Sequence, residues 1–263
     1  MMIKFKVITP ELNIRSIPDV KGDILGKLKR NAIVESTNNI GGWHNIGKGW
    51  VSGKFLEAVV GKPKNRIINC HHWLDDNQFF HEITKKEQVC WHHSAGGSAK
   101  SSVDWWNTKP DRIATPYFVE RNGDIIEVFD DKHWAYALGI KGGASIEKKT
   151  IQIEMASFGW LTEKNGRYFG IGNKEISKEN VQLYPKGYRG SKAYEKYTPQ
   201  QIESTIYLTK HLAKKHKIKI VAEKYFWLFG AKATGLYSHT TFRKDKSDFH
   251  PQPELIEATY TAF

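Results

Sequence analysis

Three short segments place histidine, carboxylate and lysine side chains where a strand should end or a loop begin. The first runs Val89-Cys90-Trp91-His92-His93-Ser94-Ala95-Gly96-Gly97, an apolar run closed by a histidine pair and small residues. A histidine ending a buried strand can aim its imidazole into a cleft, although a lone histidine is more often a hydrogen-bonded structural residue. The second segment, 238–251, contains His239, Lys246, Asp248 and His250. If the intervening residues form a loop, His239 and Asp248 reach a single ion and Lys246 projects beside it. Zinc accepts imidazole nitrogen and carboxylate oxygen, and a set of three protein ligands leaves a fourth position for water. A solvated charged loop is the competing reading, which fits the charge better than the enclosing histidines. The third segment is Ile151-Gln152-Ile153-Glu154-Met155. In a strand, Gln152 and Glu154 share the face opposite Ile151, Ile153 and Met155. An acid on the cleft side of a buried strand has a raised pKa and suits general-base work; on an edge strand it would simply face water.

The elements that must hold these residues are legible around them. A strand is expected over 88–91, a short helix over 98–107 carrying Val103 and Trp106, and a strand over 150–156. A hairpin is expected over 117–128, turning at Asn122-Gly123 in a type I′ turn. Thr198 as N-cap, Pro199 at the first helical position and Gln201 at the third open a helix whose apolar stripe is Ile202, Ile206 and Leu212. Residues 1–60 instead read as short strands over 5–8, 12–15, 24–28, 32–35, 43–46 and 49–51, a small antiparallel barrel. Turn formers Pro18, Asn38-Asn39 and Gly41-Gly42 stand between these strands. Gly61-Lys62-Pro63-Lys64-Asn65 marks the boundary, with 61–86 as linker and lead-in and a second, mixed α and β domain over 87–263.

Taken together, the three segments resemble the type-2 N-acetylmuramoyl-L-alanine amidase family, which includes phage lysozyme-like amidases, bacterial muramyl-peptide amidases and animal peptidoglycan recognition proteins. The likeness runs from about Glu87 to Ile256. It rests on 92–97, Trp105-Trp106-Asn107, 114–117, Asn122-Gly123-Asp124, 151–154, and His239 through Lys246-Ser247-Asp248. It implies an α/β domain with a central mixed β-sheet flanked by helices. Carried over by position, it makes His92, His239 and Asp248 ligands of a Zn²⁺ ion, with His93 the rival for the first position because alternation sends the two histidines to opposite faces. Glu154 becomes the general base and Lys246 the cation that stabilises the oxyanion. Tyr117 is a candidate hydroxyl near the ligands or substrate, and His93 and Ala137 are substrate-side residues. The implied reaction is hydrolysis of the bond between N-acetylmuramic acid and L-alanine: zinc activates water and polarises the carbonyl, and Glu154 moves the proton to the leaving amine. Ala137 departs from the family, which usually carries a cleft histidine there, so activity is expected to be impaired. A non-catalytic recognition protein of the same fold and an injected antibacterial effector are the alternatives to an endolysin.

In the N-terminal part, Leu12-Asn13-Ile14-Arg15-Ser16, then Pro18, 43–46, Gly49-Trp50-Val51 and Phe55-Leu56 resemble the bacterial SH3 family of cell-wall hydrolases. That implies an SH3-like barrel binding wall peptide or polysaccharide, although the same tryptophans would also serve as core.

Composition narrows the field further. With 263 residues, 40% hydrophobic and 13% aromatic, the chain can fill real cores. Forty Lys and Arg against 28 Asp and Glu give +12, enough to attract a polyanion. The surplus is spread along the chain without a basic run or an RNA-binding signature, so nucleic acid is not expected as a partner; peptidoglycan with its anionic wall polymers is. Cys70 and Cys90 are too few for a disulfide scaffold and are expected as buried thiols. Cys70-His71-His72 lacks a second ligand pair at zinc spacing. No apolar run of signal-peptide length stands near Met1 and no run approaches a membrane span. The expectation is a monomer made in the cytoplasm, without membrane insertion, that acts on the wall after release.

Overall fold

In the N-terminal part of the chain, apolar residues recur at alternate positions of short extended runs, which puts them on one face. The computed structural model describes residues 3–36, 38–58, 66–220, 226–230 and 234–263. The chain divides into two compact units, Met1–Lys62 and Pro63–Phe263. Strands β1 (Ile3–Val7), β2 (Glu11–Arg15), β3 (Ile24–Lys29), β4 (Ile33–Ser36), β5 (Asn38–Ile40), β6 (Trp43–Asn45), β7 (Trp50–Ser52) and β8 (Leu56–Ala58) belong to the first unit. They form antiparallel sheets ordered β4-β1-β8 and β3-β2-β7-β6-β5. Val7, Leu12, Ile14, Leu28, Val34 and Val51 make the core; Trp43 and Trp50 are only half-buried. Asn38-Asn39, expected as a turn, is instead strand β5 paired with Asn45 and His44. The turn is made by Gly41 and Gly42, whose φ values of 55° and 82° favour glycine. The expected boundary over 61–65 lies outside the described residues.

The second unit contains β9 (Ile67–Asn69), β10 (Gln88–His93), α1 (Ala99–Asn107), β11 (Tyr117–Val119), β12 (Ile125–Glu127), α2 (Ala144–Lys149), β13 (Thr150–Met155), β14 (Thr162–Lys164), β15 (Arg167–Gly170), β16 (Lys174–Ile176), β17 (Val181–Tyr188), β18 (Ser191–Glu195), α3 (Pro199–His216), β19 (Gly235–Ser238), α4 (His239–Phe242) and α5 (Pro253–Ala262). Its central sheet, ordered β19-β10-β13-β11-β12-β9, is mixed: β11 and β12 are antiparallel and the other neighbours parallel. Val89, Trp91, Ile151, Ile153 and Met155 turn to the face covered by Ile202, Leu208 and Leu212 of α3 and Leu255 of α5. On the opposite face, Val103 and Trp106 of α1 pack with Phe118 and Ile126.

Helix α3 starts where its sequence says it should: the Thr198 hydroxyl accepts from the Gln201 N–H and the Gln201 side chain accepts from the Thr198 N–H. The β11–β12 hairpin differs from the expected type I′ turn. Its connection spans 120–124, closed by Gly123 N–H to the Glu120 carbonyl, and Gly123 has positive φ where Asn122 does not.

Residues 66–86, expected as linker and lead-in, are instead integral to the second unit. β9 extends the sheet, Leu74 joins the α1-side core, and Lys86 Nζ donates to the carbonyls of His133 and Lys148. A strand as short as β9, beside isolated 3-10 turns, leaves no periodicity to read. The small sheets β14-β15-β16 and β17-β18 fill the interval before α3, for which no element was expected.

Candidate metal centre

Parallel strands end at the same edge of a sheet, and α/β sheets collect ligands at the carboxyl ends of their strands. β10, β13 and β19 end together here. His92 registers with Glu154 across β10 and β13, and Trp91 with Ser238 across β10 and β19, so His239, the first residue after β19, arrives beside both. The Thr240 N–H donates to the Asp248 carbonyl at 3.0 Å, which folds the following loop back and returns Asp248 to His239.

The result is a tight triangle. His92 Nδ1 lies 3.1 Å from His239 Nδ1 and 3.1 Å from Asp248 Oδ2, and His239 Nδ1 lies 2.8 Å from the same oxygen. The far nitrogen of each ring faces an acceptor: His92 Nε2 is 2.7 Å from Gln152 Oε1, and His239 Nε2 is 2.9 Å from the Leu138 carbonyl oxygen. Each Nε2 therefore holds the proton and donates, leaving Nδ1 as a lone pair. With neutral rings, the two nitrogens and a carboxylate oxygen face one another without a proton between them, an arrangement that repels unless a cation joins it. Tetrahedral zinc with bonds of about 2.0–2.1 Å would set such ligands about 3.3 Å apart, close to what is seen, so the donor set fits the ion. Among the described residues this is the one cluster of His, Cys, Asp or Glu able to hold a metal.

Glu154 stands beside the triangle on the same face of the sheet. Its Oε2 is enclosed and has no hydrogen-bond partner, and burial pushes its pKa from 4.5 to about 7, with Asp248 adding to the rise and His92 and Lys246 opposing it. A carboxyl poised near neutrality can both take and give a proton. Lys246 lines the same cleft, a cavity of 420 Å³ that also holds Ala137, Trp105, Trp160 and Arg243.

Alternation sends His93 to the other face of β10. Its Nδ1 lies 3.1 Å from the Tyr197 hydroxyl, and burial lowers its pKa to about 4, so it stays neutral while its ring still lines the cleft. Tyr117 does not reach the site, contrary to expectation. It registers with Ile153, not Glu154, and lies in the α3-side core, where its hydroxyl is 2.8 Å from both Glu127 Oε1 and Asp131 Oδ2. The three consecutive buried residues of β11 gave no sign of which face was which. Gln152 and the Leu138 carbonyl, which orient the two histidines, were missed. Gln152 was visible on the Glu154 face, but nothing in the sequence marks a backbone carbonyl.

A family model described as N-acetylmuramoyl-L-alanine amidase matches residues 82–251. No curated protein matches the chain. Among solved structures, the chain is similar to the N-acetylmuramoyl-L-alanine amidase LysC from Clostridium intestinale URNW, at 13% identity, covering 74% of this chain and 97% of that one with a TM-score of 0.43. It is also similar to the N-acetylmuramyl-L-alanine amidase AmiD from E. coli, in complex with the substrate anhydro-N-acetylmuramic acid-L-Ala-D-gamma-Glu-L-Lys, at 18% identity, 53% and 47% coverage and a TM-score of 0.35. Drosophila peptidoglycan recognition protein SD matches at 11% identity, 66% and 82% coverage and a TM-score of 0.36.

Proposed function

The chain belongs to the N-acetylmuramoyl-L-alanine amidase family, and on that premise we propose that it hydrolyses the amide bond between N-acetylmuramic acid and L-alanine in peptidoglycan, using a bound Zn²⁺. The observation that carries this reading is the convergence of His92 Nδ1, His239 Nδ1 and Asp248 Oδ2 beside a buried carboxyl of near-neutral pKa. Those residues would hold the ion, which when bound supplies a Lewis acid and makes water more acidic. Glu154 takes a proton from the attacking water and returns it to the departing amine of L-alanine. Lys246 brings positive charge to the oxygen that becomes anionic as the carbonyl carbon turns tetrahedral. Trp105 and Trp160, both about half exposed and lining the cleft, offer flat faces to the sugar and the stem peptide.

The first unit is proposed as an SH3-like wall tether. It carries a groove lined by Arg15, Trp43, Lys54 and Phe55 among others, a mix of cationic and aromatic groups suited to peptide carboxylates and sugars.

Ala137 favours a second reading, a recognition protein that binds peptidoglycan without turnover, because it lines the cleft where the resembling family usually has histidine. The test is digestion of purified sacculi, with and without chelation and zinc repletion, followed by mass spectrometry. New L-alanine amino termini that require zinc support the amidase. Cleavage at another bond overturns it, and wall binding without any cleavage supports the second reading.

A further inference from the structure

We propose that Glu147, which touches neither the metal ligands nor the cleft, is the positioning residue that orients both histidine ligands at once. The inference rests on reading His92, His239 and Asp248 as a metal site, and it concerns what holds that site in register.

Glu147 lies in α2 and is 1% exposed. Among the described residues, no Lys, Arg or His nitrogen pairs with its carboxylate. Its partners are consecutive backbone N–H groups: Ala137 donates to Oε2 at 3.2 Å, Leu138 to Oε1 at 2.9 Å and Gly139 to Oε1 at 3.0 Å. Successive N–H groups folded around an anion form a nest, and this one needs the Gly139 φ of 59°. The carboxylate therefore sets the shape of the 137–139 turn. Gripped in this way, the turn presents the Leu138 carbonyl to His239 Nε2 at 2.9 Å. Arg243, one helical turn beyond His239, donates to the Gly139 carbonyl at 3.1 Å from the other side.

The second branch runs through Gln152. Its Nε2 lies 3.4 Å from Glu147 Oε2, and its Oε1 lies 2.7 Å from His92 Nε2. Burial pushes the Glu147 carboxyl up to about 7, with the Leu138, Gly139 and Ala137 N–H groups pulling it back; in its ionised form it only accepts, so the amide turns its NH₂ toward Glu147 and its oxygen toward His92. That orientation fixes the His92 proton on Nε2 and leaves Nδ1 bare for the ion. One buried carboxylate thus dictates the tautomer of His92 through a side-chain amide and that of His239 through a backbone turn. Groups that orient metal-bound histidines in this way are typically worth 10–100-fold in metal affinity.

The test uses the full chain and Zn²⁺ itself. Glu147→Gln replaces an acceptor oxygen by an NH₂ group that must oppose either the turn's N–H groups or the Gln152 amide. Chelator competition should show Zn²⁺ binding weakened by about 10–100-fold. In the metal-free protein, long-range proton–nitrogen NMR of the imidazoles should show both His92 and His239 losing their single Nε2–H tautomer. A folded Glu147→Gln protein with unchanged affinity, or with either histidine keeping its tautomer, overturns the proposal.

If that variant does not fold, variants of the separate branches decide. Gln152→Met should disturb His92 and spare His239, and Gly139→Ala should do the reverse; any other pattern overturns the proposal. None of these readouts involves peptidoglycan, so a failure of the amidase reading leaves them interpretable.

Discussion

Replacing Glu154 by glutamine is expected to stabilise the metal-free protein above neutral pH while removing hydrolysis. The structure raises the Glu154 carboxyl from 4.5 to about 7, chiefly through burial. Because the folded-state value exceeds the unfolded one, the native protein holds a proton that the unfolded chain has already lost. The resulting stability is complete below about pH 4.5 and is lost as pH rises through about 7. Between pH 5 and pH 8 the wild-type protein should lose about 2–3 kcal/mol relative to Glu154→Gln, whose amide does not titrate. Any pH-independent cost of burying the amide cancels in that difference. Urea denaturation of metal-free wild-type and variant proteins at the two pH values measures it directly. Amidase turnover should fall by at least ~10² in the same variant. Stability curves that run parallel from pH 5 to pH 8 would refute the placement of a buried, near-neutral carboxyl here. A wild-type rate would remove Glu154 as the base.

Asp248→Ala should lower zinc content from about one ion per chain, measured by elemental analysis after dialysis, because a two-histidine site holds zinc poorly; full occupancy would contradict the ligand set. Lys246→Ala should retain zinc and fold but lose ~10² or more in kcat on soluble muropeptides. Ala137→His should raise the rate by about 10² without changing zinc content, since the metal ligands lie elsewhere and residue 137 lines the cleft; full activity as given with no gain would make the alanine harmless, and inactivity in both forms with wall binding retained would favour the recognition protein. Deleting residues 1–60 should spare cleavage of small muropeptides and slow attack on intact sacculi, because a tether raises local concentration without altering chemistry. Equal losses on both substrates would give the first unit a part in the active site.

Much of the second unit could be read from alternation. Val89 and Trp91, then Ile151, Ile153 and Met155, show two strands each with one face in a core, and the other face had to carry His92, Gln152 and Glu154. Alternation separates His92 from His93 but does not say which face meets the cleft. That depends on β19 lying parallel beside β10 and delivering His239 to the same edge, a pairing between residues far apart in the chain. Tyr117 was misjudged for the same reason, since an all-buried β11 has no polar side to orient it. The region between β13 and α3 escaped notice because β14 to β17 are mostly exposed or half-buried and β18 ends in three consecutive buried residues, so neither shows a period of two.

The ligands and the base could be found because their chemistry is carried by side-chain type: imidazole, carboxylate and lysine near the ends of apolar runs. The groups that orient them are of other kinds. His239 is aligned by a backbone carbonyl, which any residue at 138 would supply, and that carbonyl is set by N–H groups that are equally anonymous in sequence. Only Gly139 leaves a trace, through its left-handed backbone, and only Glu147 is an ionisable group whose burial demands an explanation. A search for partly hidden sites in related chains should therefore start from buried carboxylates held by consecutive backbone N–H groups, and then ask which carbonyl the gripped turn presents and to what.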